Sequence, residues 1–115
     1  MLVGGAVALM LSRDEPGVEV VAREYLVAVQ EGREADRCEL ATPDLREQLW
    51  GERECRLLED RPVRGTGSIS LGEVITEPGS ARAQVAYELE GVSTHRSGTL
   101  SLVEANGAWR VSAEE

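Results

Sequence analysis

Two tyrosines and a tryptophan are the side chains of this sequence best suited to a ligand pocket. Tyr25 lies in a stretch with helical spacing of its apolar residues, whereas Tyr87 and Trp109 lie in stretches that alternate between apolar and polar residues. The spacing turns both phenols inward, where a pair of hydroxyls could hydrogen-bond a ligand oxygen. Tyr25, Tyr87 and Trp109 are therefore candidate pocket residues. Packing in the core, with each hydroxyl at its rim, is the commoner role for such residues and the alternative that we favour.

Acid–base chemistry has little support in the sequence. A catalytic carboxyl or imidazole needs an apolar cavity that moves its pKa towards neutrality. All four aspartates lie within the first 60 residues, in polar surroundings. Glu88 and Glu90 have the outward parity of their strand, and His95 has the parity opposite to Leu100, so all three are expected to face solvent. We expect no catalytic residue.

Metal, nucleotide and nucleic-acid chemistry also lack a motif. Cys38, Cys55 and His95 are too few and too far apart for a four-ligand zinc site. The sequence has no phosphate-binding glycine loop, no GxSxG elbow and no HExxH, and the glycines of residues 65–67 lack a strand–turn–helix context. A formal net charge of -9 disfavours nucleic acid and anionic lipid surfaces as partners. The sequence predicts no cofactor and no metal.

The two cysteines predict a structural disulfide. Cys38 and Cys55 lie seventeen positions apart, and neither belongs to a CxxC pair of the redox-active kind. A disulfide would close this loop with a stabilisation of ~3 kcal/mol and would be typical of an oxidising compartment. Two buried free thiols are the alternative.

The apolar start of the chain also indicates export. Residues 1–11 carry no charge, but they are about half of the ~20 residues that a membrane-spanning helix needs, and no basic residue precedes them. We interpret residues 1–15 as part of a membrane anchor or an export signal, with an apolar segment packed on the domain as the alternative. Residues 16–115 then form the folded domain, extracytoplasmic and either membrane-associated or secreted. The absence of Lys and Phe suggests a high-GC bacterial genome.

The elements that must position these residues change character near Pro62. Before it, apolar residues recur at helical spacing, with Gly32 as a stop signal and Thr42 and Pro43 as a start signal. After it, apolar and polar residues alternate as in half-buried strands. We predict helices over residues 18–31, 34–41, from 43 onward and 52–60, and strands over 68–77, 81–90, 94–104 and 108–112, with an irregularity at Gly72 and turns at 78–80 and 106–107.

Helices followed by four hairpin-linked strands predict an α+β domain. The helices should cover one face of a curved, four-stranded antiparallel sheet. The outward strand positions are polar and offer little apolar area for a dimer interface, so we expect a monomer, with a homodimer as the alternative. These outward positions are Arg82, Gln84, Glu88, Glu90, Ser97, Thr99 and Ser101.

Three stretches resemble the nuclear-transport-factor-2-like superfamily, also called the cystatin-like roll. REYLVAVQEGR (residues 23–33) is similar to the opening helix of that superfamily and its step into a second short helix. RCELATPDLREQL (residues 37–49) together with Cys55 resembles the cysteine-bearing helical segment of its extracytoplasmic bacterial members, and SGTLSLVEANGAWRVS (residues 97–112) resembles its closing hairpin. The resemblance covers residues 18–112 and implies a cone-shaped roll with a concave pocket. Glu34 departs from the Asp of many members, so no role carries over to it.

These observations predict a non-enzymatic extracytoplasmic domain that binds a protein or a small apolar ligand. The alternative is a small-molecule enzyme of the isomerase or cyclase kind, working between the first helix and the sheet. The interior distinguishes the two: a cavity of ~300 Å³ or more with convergent polar groups would favour an enzyme or small-ligand site. An interior filled by side chains would favour the interaction domain.

Overall fold

A computed structural model describes residues 17–62, 67–76, 81–91 and 95–115. In these ranges, three helices and a short 3₁₀ turn precede four strands, and the strands lie side by side in chain order, each antiparallel to the next. The predicted α+β class is confirmed. The elements are α1 (Val18–Glu31), α2 (Glu34–Glu39), α3 (Pro43–Trp50), the 3₁₀ turn Cys55–Leu57, β1 (Ser68–Thr76), β2 (Arg82–Glu90), β3 (His95–Ala105) and β4 (Ala108–Glu114).

The predictions for residues 1–16, for Gly65 and Thr66 and for the turn at 78–80 lie outside the described residues. Within the described ranges, no helix combines the length and the apolar composition that crossing a membrane requires.

Helix α1 has the predicted bounds and the predicted apolar face. Val21, Tyr25 and Leu26 are buried, at the three- and four-residue spacing that brings side chains onto one side of a helix. Gly32 ends the helix in the left-handed conformation, with φ 69°, which glycine adopts without a Cβ clash. The amide of the next residue, Arg33, then donates to the Ala28 carbonyl at 2.9 Å, which satisfies one carbonyl of the last turn.

Helix α2 ends at Glu39, earlier than the predicted residue 41, because the following backbone pairs with the sheet. Ala41 forms a parallel bridge with Val111 of β4. The Thr42 amide donates to the Val111 carbonyl at 2.8 Å, and the Val111 amide donates to the Leu40 carbonyl at 2.8 Å. These bonds pair the backbone of Val111, in the middle of the outer edge of β4. The Thr42 hydroxyl accepts from the Leu45 amide at 3.2 Å, so the predicted N-cap of α3 is confirmed.

The predicted helix over residues 52–60 is wrong, since only Cys55–Leu57 forms a 3₁₀ turn. Gly51 stops α3 with φ 68° and ψ -135°, outside the helical region. Downstream, the Arg61 amide donates to the Gly32 carbonyl at 2.7 Å, which ties the segment to the end of α1. Cys55 is bonded to Cys38 in the predicted disulfide, with 5.4 Å between the two Cα atoms. Residues 52–60 are thus anchored to α2 by the disulfide and, just beyond their end, to Gly32 by the Arg61 hydrogen bond.

The strands show the predicted alternation. Ala83, Val85, Tyr87 and Leu89 of β2 are buried, and their neighbours on the strand are more exposed. The register between β1 and β2 shifts between Leu71 and Val74, which confirms the irregularity expected at Gly72. At the last hairpin, Asn106 and Gly107 have φ 53° and 78°, the pair of positive values of a type I′ turn.

The core lies between α1 and the inner face of the sheet. Helix α1 contacts all four strands. The sheet is open, since β1 and β4 do not pair in the described ranges, so the predicted cone shape is not established. The buried members of the core cluster are Val21, Ala22, Tyr25, Leu26, Ala41, Leu45, Val85, Tyr87, Leu89, Leu100, Leu102 and Val111.

Gly98 of β3 provides a test of the sheet packing. It pairs with Tyr87 of β2, and a Cβ at this position would lie 1.9 Å from the Glu115 carbonyl oxygen and 2.9 Å from the Tyr87 hydroxyl. We expect Gly98→Ala to lower the free energy of unfolding by about 1–3 kcal/mol, measured by urea denaturation. Gly72→Ala is the matched control, because its Cβ would lie 3.3 Å from the Ala86 Cβ. Equal stabilities of the two variants would contradict this packing.

Candidate functional site

A group of polar and aromatic side chains surrounds Arg37 of α2. We call Tyr25, Glu34, Arg37, Trp50 and Glu114 the Arg37 cluster. Its members come from α1, α2, α3 and β4. The side chains of Glu34, Arg37 and Glu114 are only 12, 13 and 15 % exposed, so three ionisable groups lie largely out of water. Such groups need partners, because burying an unpaired charge costs several kcal/mol.

Arg37, Glu114 and Tyr25 form a closed triangle of hydrogen bonds. The Arg37 Nη2 makes an ion pair with Glu114 Oε2, and the Tyr25 hydroxyl donates to the same carboxylate oxygen. The Arg37 Nε donates to the Tyr25 hydroxyl oxygen at 3.1 Å. The triangle ties the middle of α1 to α2 and to the last residue of β4.

The other side of the cluster involves Glu34 and Trp50. The Trp50 Nε1 donates to Glu34 Oε1 at 3.2 Å. Glu34 Oε2 lies 3.6 Å from Arg37 Nη1 and 3.4 Å from Arg61 Nε, and it is buried without a hydrogen bond in the described part of the chain. The Arg37 guanidinium also lies 5.4 Å from the centre of the Trp50 ring and 5.6 Å from that of Tyr25, within the range of cation–π attraction.

The surroundings of the triangle hold Tyr25 protonated and Arg37 charged. Burial raises the pKa of the Tyr25 phenol well above its ordinary value, and the hydrogen bond to the Glu114 carboxylate raises it further. Burial alone would lower the pKa of Arg37, but the bonds to Glu114 and Tyr25 outweigh it and raise that pKa. Tyr25 therefore cannot act as a base at neutral pH. The geometry is that of a fixed structural contact.

The structure puts the three candidate pocket residues in or against the core. Tyr25 and Tyr87 are 0 and 4 % exposed, and Trp109 is half-buried and packs against the hydrophobic core. The Tyr25 hydroxyl is already bonded within the Arg37 cluster, while Tyr87 faces Gly98 across the β2–β3 pair. His95 is exposed at the start of β3.

Sequence reasoning missed Arg37, Glu34 and Glu114. None of the three is a predicted site residue, because charged side chains within helices and at the end of a strand usually lie in solvent. One signal was present: Glu34 and Arg37 are one helical turn apart, and Arg37 directly precedes Cys38, a cysteine of the predicted disulfide. Charged residues next to a buried cysteine lie close to the core, so their side chains can become largely buried at its edge.

A groove of about 660 Å³ forms a second candidate site, lined by residues of α1, by residues in and next to α2, and by Leu71 of β1. We call it the α1–α2 groove. Its apolar members, such as Val20 and Leu40, lie among charged side chains that are exposed. The lining residues are Glu19, Val20, Arg23, Glu24, Val27, Arg33, Asp36, Glu39, Leu40 and Leu71.

Comparison of the chain with protein-family models, with curated proteins and with solved structures finds no match. The resemblance to the nuclear-transport-factor-2-like superfamily therefore stays a prediction, and the site is interpreted from its own geometry.

Removing the guanidinium of Arg37 tests the triangle. Arg37→Met keeps much of the aliphatic stem but removes the ion pairs with Glu114 and Glu34. Glu114 keeps the hydrogen bond from Tyr25 and an ion pair with Arg96 at 3.7 Å, so we expect a loss of about 2 kcal/mol in the free energy of unfolding. Arg56→Met removes an exposed ion pair with Glu54 and should cost less than about 1 kcal/mol. Adding Glu114→Gln to Arg37→Met should restore part of the loss. A cost for Arg37→Met no larger than that for Arg56→Met would contradict the assignment.

The raised pKa of Tyr25 predicts a loss of stability at alkaline pH. In the unfolded chain Tyr25 ionises near its ordinary pKa of 10.0, whereas in the folded chain it keeps its proton to higher pH. The contribution of the Tyr25 hydroxyl to the free energy of unfolding is therefore complete below pH 10. This contribution falls as the pH rises above 10, by at most about 1.4 kcal/mol per pH unit. Tyr25→Phe should be less stable than the wild type at pH 8 but should lose less between pH 10 and 11. Urea denaturation measures both free energies of unfolding. Identical losses for the wild type and Tyr25→Phe between pH 10 and 11 would refute the raised pKa of Tyr25.

Proposed function

We propose that this chain is a non-enzymatic domain that binds a protein partner on its surface in an oxidising, extracytoplasmic compartment. The filled interior carries the proposal. The large side chains between α1 and the sheet pack to 2 % exposure or less, which supports a core in the place where a substrate would bind. These side chains are Tyr25, Leu26, Val85, Leu100, Leu102 and Val111.

The state of the two tyrosines also supports a binding surface over an interior pocket. A catalytic or ligand-binding phenol needs its hydroxyl directed at the ligand. The Tyr25 hydroxyl is instead bonded to Arg37 and Glu114. Tyr87 is 4 % exposed within the same core cluster. An isomerase or cyclase working between α1 and the sheet would have to displace these contacts.

The disulfide supports the compartment. Cys38 is 0 % exposed and is bonded to Cys55, and such bonds persist where the surroundings are oxidising. The apolar residues 1–11 and the resemblance to extracytoplasmic family members agree with export. On this proposal the domain is either secreted or held at a membrane by its N-terminal segment.

The state of the thiols in the cell tests the compartment. Cells that naturally contain the protein are quenched with acid, and thiols are alkylated before or after reduction. We expect neither Cys38 nor Cys55 to react before reduction and both to react after it, as measured by intact mass. Full alkylation without a reductant would place the protein in a reducing compartment and contradict this part of the proposal.

A solvatochromic apolar dye such as Nile red tests the filled interior. We expect no saturable binding that responds to Tyr25→Phe or Tyr87→Phe, because both rings are packed in the core, at 0 and 4 % exposure. Val20→Glu, in the α1–α2 groove, serves as the comparison for surface binding of the dye. One-to-one binding that is weakened by the tyrosine variants and unchanged by Val20→Glu would favour an interior small-molecule site over the proposed surface function.

A further inference from the structure

The α1–α2 groove exposes apolar side chains on a face of α1 whose other residues are charged and exposed to solvent. Val20 is 49 % exposed, and Val27 lies two helical turns further along α1. Seven residues of helix span about 10 Å, so the two valines mark the apolar ends of a strip of that length, with Arg23 and Glu24 between them on the same helix face. Leu40 and Leu71 also line the groove while packing against the core, so the groove reaches down to the core surface.

The charges around this strip are mainly negative. Four carboxylates and two guanidinium groups line the groove. One of the two, Arg33, lies 3.5 Å from a Glu31 oxygen and 3.3 Å from an Asp36 oxygen, so its charge is offset within the protein. The whole chain has a formal net charge of -9, which adds to the negative potential at the groove.

We infer that the α1–α2 groove binds a basic amphipathic helix of a partner protein, an inference that rests on the proposed function. Apolar side chains at positions i, i+3 or i+4, and i+7 of such a helix match the spacing of Val20 and Val27. Its Lys or Arg residues would pair with the carboxylates of Glu19, Glu24 and Glu39. This pairing favours a basic partner and selects against acidic ones.

The same charges weigh against other occupants. A second copy of the chain would bring an equally negative groove, and like charges facing each other disfavour association. An anionic lipid surface is repelled for the same reason. The open shape of the groove and its length along α1 suit a helical segment better than a small molecule, which would be enclosed on most sides.

The test uses the full chain and a fluorescein-labelled amphipathic peptide with Leu at the i, i+3, i+4 and i+7 positions and Lys elsewhere. A matched peptide carries Glu in place of every Lys. Fluorescence anisotropy should show saturable binding of the Lys peptide that weakens with added salt, and binding of the Glu peptide at least about tenfold weaker.

Val20→Glu separates groove binding from general ionic attraction. The substitution makes the chain more negative, so non-specific attraction of the Lys peptide would strengthen. Groove binding should instead weaken by about tenfold, because the most exposed apolar contact of the groove is replaced by a charge. Position 20 lies in the first turn of α1 and is exposed, where an acidic residue is compatible with the helix.

A charge-matched pair of variants keeps the test independent of Val20. Glu19→Gln with Glu24→Gln should weaken the Lys peptide by about five- to tenfold. Glu88→Gln with Glu90→Gln removes the same charge from exposed positions on β2 and should change binding by less than about twofold. Equal effects of the two pairs, or stronger binding by Val20→Glu, overturn the inference.

Carbodiimide cross-linking locates the peptide directly. The chain has no Lys, so apart from its N-terminal amine every carboxylate–amine link reports the peptide. We expect links at Glu19, Glu24 or Glu39, and links confined to the sheet overturn the inference. Displacement of the probe by a peptide with the sequence of residues 1–16, at similar affinity, also overturns it, because the groove would then suit the start of the chain. Neither result touches the dye and thiol experiments, so the surface-binding proposal stands or falls separately.

Discussion

The burial of one face of α1 against four strands is the contact on which the rest of the domain depends. A helix of 14 residues is marginal in water by itself, so α1 exists because the sheet covers Val21, Tyr25 and Leu26. The dependence is mutual, since an antiparallel sheet needs one covered face to be stable. Burying each large apolar side chain contributes about 1.5–3 kcal/mol, and this layer contains most of them.

The Arg37 cluster fixes the relative positions of α1, α2 and β4, which hydrophobic contact alone does not determine. Apolar surfaces can slide against each other, because the hydrophobic effect has no direction. The planar guanidinium of Arg37 has donors at fixed angles, and it reaches Tyr25 on α1 and Glu114 on β4 at once. Cys38, the next residue, is tied to Cys55. Helix α2 is thus held in place by the ion pair of Arg37 and by the disulfide bond of Cys38.

Features that depend on local spacing were predictable from the sequence. The apolar face of α1, its end at Gly32, and the Asn106 and Gly107 turn follow from helical periodicity and from backbone preferences of single residues. The end of α2 and the extended segment after Gly51 were not predictable in this way, because their backbone partners lie in β4 and at the end of α1. The partners of Arg37 were missed for a similar reason: a long charged side chain chooses among neighbours that only the tertiary fold brings within reach.

The bridge between Ala41 and Val111 has a consequence for assembly. It occupies the amide and the carbonyl of Val111, in the middle of the outer edge of β4. An open strand edge can pair with a strand of another molecule. A second molecule could not pair along the full length of β4 without displacing Leu40 and Thr42 from Val111. The bridge therefore hinders strand addition at this edge by geometry, independently of the charge of the chain.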